Sequence, residues 1–439
     1  MILRSSEMFF SHTFITAYID PGTGGMIFSV LFGLFGSMML FVRAYWVKLK
    51  YRIGVGKMEK TMDERIPVVI FSDHKRYWNI FEPICDRLEK KNIKCVYYTM
   101  SPDDPALEKK YENITAEFIG EGNRAFAKMN LVNAVIVLST TPSLDVFQWK
   151  RSKNAQYYIH IPHASSDITL YRMFGIDFYD AILLSGDYQK DQIRELEKLR
   201  NEPAKDIEIV GIPYMDVMAE RIKKAGEESG FKKNASDKKT VLLAPSWGKS
   251  GALSMYGEKL IDALLKTGYD VIIRPHPQSF ASEKELMDKL MNKYGEGSGV
   301  TWNRDNDNFD VLMKSDIMIS DFSGVIFDFT LVYDKPVIYT GAEMDKAPYD
   351  ASWIDDELWT IKILPSIGRK LEKSDLDDMK KVIDECLECN EYSEGRDRAR
   401  RETWAHFGEG AERTAEYVVS KYKELASAGD KPSDMKETA

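Results

Sequence analysis

The chain has no surplus of positive charge. Its 60 lysines and arginines are outnumbered by 69 aspartates and glutamates, for a net charge of −9 and a pI near 5.4. A broad nucleic-acid surface needs a basic face, so that class of partner is excluded. Small anionic ligands are not, because a local site can be positive on an acidic protein. Cysteine is also scarce, with Cys85, Cys95, Cys386 and Cys389 the only four in 439 residues. That is no disulfide framework. Cys386 and Cys389 have CxxC spacing in a helix-like run with no second pair, which reads as two reduced thiols. The sequons at Asn113 and Asn234 carry meaning only in an exported segment.

Charge is missing altogether from residues 25–42, GMIFSVLFGLFGSMMLFV. At about 1.5 Å per residue, a helix of that length covers roughly 27 Å, close to the ~30 Å hydrocarbon core of a bilayer. Arg43, Lys48, Lys50, Arg52, Lys57 and Lys60 follow it, and only Arg4 precedes it. The positive-inside rule then puts the bulk of the chain in the cytoplasm. Tyr45 and Trp46 suit an interfacial aromatic belt. A cleaved signal peptide is the competing reading, but its charges would stand on the wrong side. The apolar run 8–19 is short, and reads as an interfacial helix or half of a hairpin. The expectation is a single-pass membrane anchor with a basic linker over residues 1–60, in contact with membrane lipid.

Beyond residue 65, apolar runs alternate with helical spacing. Strand candidates are 66–71, 94–99, 134–139, 157–161, 181–186 and 208–213, then 240–247, 269–275, 299–302, 316–320 and 335–340. Continuous apolar strands separated by helices predict parallel sheets covered on both faces. The polar stretch 232–239 divides the two series. The chain is therefore expected to hold two doubly wound α/β halves, residues 61–232 and 233–425, followed by a disordered tail, 426–439. Ligands in such sheets bind outside the carboxyl ends of the strands. The cleft between the halves is the default site.

Several strand ends carry residues suited to a phosphate or an alcohol. After the strand 269–273 come Arg274 and then His276, held between two prolines that stiffen the backbone. The loop after the first strand of the second half contains Ser246, Gly248, Ser250 and Gly251, which let backbone N–H groups approach an anion. Ser320, Asp321, Ser323 and Gly324 follow the strand 316–320, where they can cap a helix or meet a phosphate. In the first half, His160 falls within an apolar run, whereas His163 lies past the strand end after Pro162. His163 and His276 are the candidate catalytic pair, one from each half. His74 and His160 are candidates for the acceptor side. Asp305 and Asp307 could bind a divalent ion but read better as a turn with a helix cap. The residues call for no metal and no cofactor.

The pieces APSW (244–247), RPHP (274–277) and SDFSGVIFDFTLVYDKPVIY (320–339), in that order, resemble the CDP-glycerol glycerophosphotransferases, the teichoic-acid polymerases and primases. The similarity covers roughly residues 155–345. It implies a GT-B-like fold and transfer of glycerol phosphate from CDP-glycerol, or a relative such as CDP-ribitol, with CMP leaving. The acceptor would be a hydroxyl on a lipid-linked or polymer chain. By position, His163 would be the base for the acceptor hydroxyl, and His276 would steady the leaving phosphate. Arg274, Ser246, Ser320, Asp321, Ser323 and Gly324 would surround the donor phosphates. The chain departs from the family pattern twice. Pro162-His163-Ala164 stands where the family usually has Trp-His-Gly, and the stretch 347–359 lacks the family's arginine. Arg274 and Lys335 are the cations left to take its place. A nucleotide-sugar glycosyltransferase or epimerase of similar build, and a membrane-tethered scaffold without activity, are the competing readings.

Overall fold

Seven parallel strands build the first sheet: β1 (Ile66–Ser72), β2 (Cys95–Thr99), β3 (Ile114–Phe118), β4 (Ala134–Ser139), β5 (Ala155–His160), β6 (Ala181–Leu184) and β7 (Asp206–Ile209). The computed structural model describes residues 65–229, 238–305, 307–341 and 344–429, together with Met38. Apart from Met38, the stretch 25–42 expected to span a membrane lies outside the described residues, as do the run 8–19 and the end of the tail from 430. Among the described residues, no helix is long and apolar enough to cross a membrane.

The strand order is β3-β2-β1-β4-β5-β6-β7. The centre is the most apolar part. Every residue of β4 is buried, and Val68, Val69, Ile70 and Phe71 of β1 are fully so. Burying each such side chain favours folding by roughly 1.5–3 kcal/mol. The helix Trp78–Lys90 covers one face. Its buried residues Trp78, Phe81, Ile84, Cys85 and Leu88 recur at helical spacing, so one stripe meets the sheet.

The second sheet repeats the plan with six strands. These are β8 (Thr240–Leu243), β9 (Asp270–Ile273), β10 (Val300–Trp302), β11 (Ile317–Ser320), β12 (Val337–Thr340) and β13 (Arg369–Leu371), in the order β10-β9-β8-β11-β12-β13. All its pairings are parallel. The strand order reverses between β1 and β4 in one sheet and between β8 and β11 in the other. Those switch points are where crevices open.

Residues 66–439 form one compact unit, and its halves interlock. Arg200, at the end of the helix Tyr188–Arg200, pairs with Asp177 of its own half at 2.6 Å and with Asp350 of the other at 2.5 Å. All three side chains are nearly inaccessible, at 4%, 6% and 0% exposure. Asp350 also accepts the N–H groups of Phe174 and Gly175. The last helix, Gly410–Gly429, returns to the first half. Its Ala415 and Val418 share a core with Ile84 and Leu88, and its Glu412 pairs with Arg87 and Lys91. Asp216 secures the turn before it by accepting from Trp404 Nε1, Gly408 N and Gly410 N.

Candidate active site

His163 leaves the carboxyl end of β5 on a loop that reaches the second half. Its ring lies between two tyrosines, with centroids 5.1 Å from Tyr77 and 5.5 Å from Tyr171. The Tyr171 hydroxyl stands 3.3 Å from Nδ1 of His163 and 3.2 Å from Nε2 of His160. His160 is fully buried at the end of β5, packed against Tyr171 and Tyr179. Burial pushes His160 down to about 3. His163 is pushed down to about 4, by burial first and then by the positive charge of Arg76, with the Thr140 carbonyl pulling the other way. Both are neutral imidazoles at physiological pH.

His276 occupies the corresponding place after β9. Its Nδ1 accepts the Gln278 N–H at 3.1 Å, which leaves the ring proton on Nε2. Burial, and again Arg76, push it down to about 4, while Glu283 acts upward. Protonation of His276 is felt at His163, so the two rings share one electrostatic environment. The loops that carry this site touch: a Cβ placed on Gly324 would lie 3.7 Å from that of Ala164, the neighbour of His163. Asp167 pins the same loop to the other half by accepting from Trp359 N at 3.0 Å and Thr360 N at 2.7 Å. Those are the first N–H groups of the helix Trp359–Ile367, a favourable place for a carboxylate.

The strand end after β11 is organised around a buried carboxylate. Asp321 is fully buried and accepts from Ser246 N, Ala252 N and Ser323 N at 2.9–3.0 Å. It therefore takes up N–H groups of the 246–252 loop that an anion would otherwise meet. Ser320 is fully buried as well and donates to the Ala244 carbonyl at 2.7 Å. Ser323 and Gly324 stay half-exposed beside Ala164. The structure thus divides the motif: Ser320 and Asp321 shape the loops, and Ser323 and Gly324 present them.

The remaining expected residues sit elsewhere or serve local structure. Arg274 is half-buried and bonds Asn303, in the field of Asp305 and Asp307. Lys335 donates to the carbonyls of Leu312, Met313 and Ser315, and so closes the end of the helix Phe309–Lys314. His74 caps the turn Lys75–Tyr77, its Nδ1 accepting from Arg76 N at 3.1 Å. Asp307 accepts from Phe309 N and pairs with Arg221. Among the described residues, no group of three His, Cys, Asp or Glu side chains is placed to hold a metal. Two open cavities of about 530 and 660 Å³ lie away from both histidines, lined mostly by charged surface side chains. The strand-end histidines, not cavity size, mark the candidate site.

Sequence reasoning missed Arg76, Tyr77 and Tyr171. Tyrosines in a loop carry no periodic signal. Arg76 had one available signal, its position a few residues past the central strand β1.

Two doubly wound parallel sheets, with a histidine just past a strand end of each, give the chain a two-domain, GT-B-like build. Within that class, the chain belongs to the CDP-glycerol:poly(glycerophosphate) glycerophosphotransferase family, which matches residues 68–421. It is an enzyme of that type. It is 22% identical over 330 residues to a teichoic acid glycerol-phosphate primase of Bacillus spizizenii, covering 68% of this chain and 82% of that one. Its fold is similar to that of the wall teichoic acid polymerase TagF, with a TM-score of 0.52, 18% identity, and 82% of this chain and 90% of that one covered. A UDP-GlcNAc 2-epimerase of Methanocaldococcus jannaschii shares the fold at a TM-score of 0.52 and 13% identity, over 80% of this chain and 99% of that one.

Proposed function

We propose that the chain transfers glycerol phosphate, or a related polyol phosphate, from a CDP-activated donor to a hydroxyl of a lipid-linked or cell-wall polymer acceptor, releasing CMP. The observation that carries this reading is the family match over residues 68–421, with a buried, neutral imidazole past a strand end of each half. A single Tyr171 proton can serve only one of its two neighbours. Given to Nε2 of His160, it leaves the Tyr171 oxygen to accept Nδ1–H of His163. Nε2 of His163 then carries a lone pair into the cleft, where it can take the acceptor hydroxyl proton. His276 has the reverse tautomer and offers Nε2–H to a phosphate oxygen. The acceptor oxygen attacks the phosphorus of the glycerol phosphate, and the bond to CMP breaks. Positioning and charge stabilisation supply most of the rate in such transfers.

The donor is supported by the family and by TagF, a structure of which was obtained after soaking with CDPG. A lipid-linked acceptor at the inner leaflet fits the anchor expected over residues 25–42, and the similarity to a teichoic acid primase supports it. Purified full-length protein incubated with CDP-glycerol and membrane lipid is expected to release CMP. Release of UDP from a UDP-sugar, or interconversion of a UDP-sugar, with no CMP released from any CDP-polyol, would select the glycosyltransferase or epimerase reading instead.

The protonation states set a pH dependence. The free enzyme needs His163 neutral, and its pKa is depressed to about 4 from the usual 6.5. The rate limb governed by this base is therefore full above pH 6.5, and is lost only as pH falls through about 4. CMP release measured as kcat/KM is expected to show its acid limb well below pH 6. A limb centred near 6.5 would show that His163 is not the buried base described.

A further inference from the structure

We propose that Arg76, supplied by the first half, is the cation that holds the phosphates of the donor between the two histidines. This deepens the reading above and rests on it for the identity of the donor. The argument begins with position. Arg76 follows β1 in the turn Lys75–Tyr77, at the switch point between β1 and β4, where the strand order reverses and a crevice opens. Its guanidinium carbon lies 5.4 Å from the Tyr77 ring centroid, and that ring lies 5.1 Å from His163. The turn is braced from both sides, because His74 accepts the Arg76 N–H and Ser101 accepts the Lys75 N–H. The arginine is thus presented from a fixed backbone.

Its charge is uncommitted. Arg76 is exposed and makes no ion pair among the described residues. The neighbouring Lys75 is paired with Asp103. Arg274 is turned to Asn303, Lys335 closes a helix, and the stretch 347–359 carries no cation, its Asp350 being locked to Arg200. Asp73, three residues earlier, is an acidic group in electrostatic contact with Arg76, and burial raises its pKa, so its charge offsets the guanidinium weakly. Arg76 also acts on both imidazoles, lowering the pKa of His163 and of His276. One cation, beside Tyr77 and so close to His163, thus acts on a histidine of each half. This charge disfavours protonation of either ring. An anion that bridges the rings would offset it, and a guanidinium fork suits phosphate oxygens. A diphosphate satisfies both conditions. Because Arg76 belongs to the first half and His276, Ser323 and Gly324 to the second, the ligand would join the halves through its phosphates.

The test uses the full-length protein with three variants: Arg76→Gln, Arg76→Lys and, as a control on the adjacent charge, Lys75→Gln. Binding of inorganic diphosphate and of CDP-glycerol is measured by calorimetry, CMP release is measured under saturation, and the histidine titrations are followed by NMR. R76Q is expected to weaken diphosphate binding at least tenfold, to lower kcat/KM for CDP-glycerol about a hundredfold or more, and to raise the pKa of both His163 and His276. R76K should recover part of the affinity without the full rate, and K75Q should behave as wild type. The proposal is overturned if R76Q binds diphosphate as tightly as wild type, or if wild type binds none. Wild type that binds diphosphate with Arg76 dependence, yet neither binds nor cleaves CDP-glycerol, leaves the arginine's role standing and sinks the donor instead.

Discussion

Exchange of His163 for glutamine is expected to lower the rate of CMP release by about 10²–10⁴-fold, the usual contribution of a placed general base. Glutamine keeps a polar group beside Tyr171 but cannot take a proton. Its effect should therefore fall on kcat, with the affinity for CDP-glycerol little changed. His276→Leu should differ in kind. The lost Nε2–H removes a donor to the phosphate, so binding and turnover both suffer. The pattern of the two variants says more than either loss alone. If both keep activity within about threefold, the imidazole pair is not the catalytic centre.

The largest effect on stability is expected from Arg200→Met. The substitution leaves Asp177 and Asp350 buried without their cation. Breaking a buried pair from one side typically costs about 3–5 kcal/mol. The Asp350 carboxylate keeps its bonds from Phe174 and Gly175, which softens the loss but does not remove the charge. Urea unfolding of the full-length variant should show this shift, and the double variant Arg200→Met/Asp350→Asn should recover part of it. A change below about 1 kcal/mol in the single variant would mean that the triad contributes little to holding the halves together.

What could be read from the sequence follows from burial. The central strands were legible because both faces are covered, so five of the six residues of β4, Ala-Val-Ile-Val-Leu-Ser, are apolar. Two of the four edge strands, β3 and β13, were not. β3 is Ile-Thr-Ala-Glu-Phe, with most of its side chains at least partly exposed, and β13 is only Arg-Lys-Leu. Edges carry polar side chains, and three residues hold no period. The two histidines were legible because proline and strand ends frame them. The partners that give them their character were not. Tyr171 touches both His160 and His163 through a loop fold that no local pattern encodes. Lys335 looked available as a cation because its task, meeting three carbonyls of a helix end, depends on tertiary placement. Likewise, Asp321 reads as a ligand for phosphate until the N–H groups of Ser246 and Ala252 are seen to meet it.

The return of the last helix to the first half has a consequence for synthesis. The chain emerges from the ribosome in order, and the cover for Ile84 and Leu88 arrives only with Ala415 and Val418. The second sheet, closed by β13 at Leu371, can be complete while the first still exposes that apolar face. The half that begins first therefore finishes last. During that interval, Asp216 waits for Trp404, Gly408 and Gly410, and the nascent protein carries an open hydrophobic surface that a chaperone or a membrane could occupy.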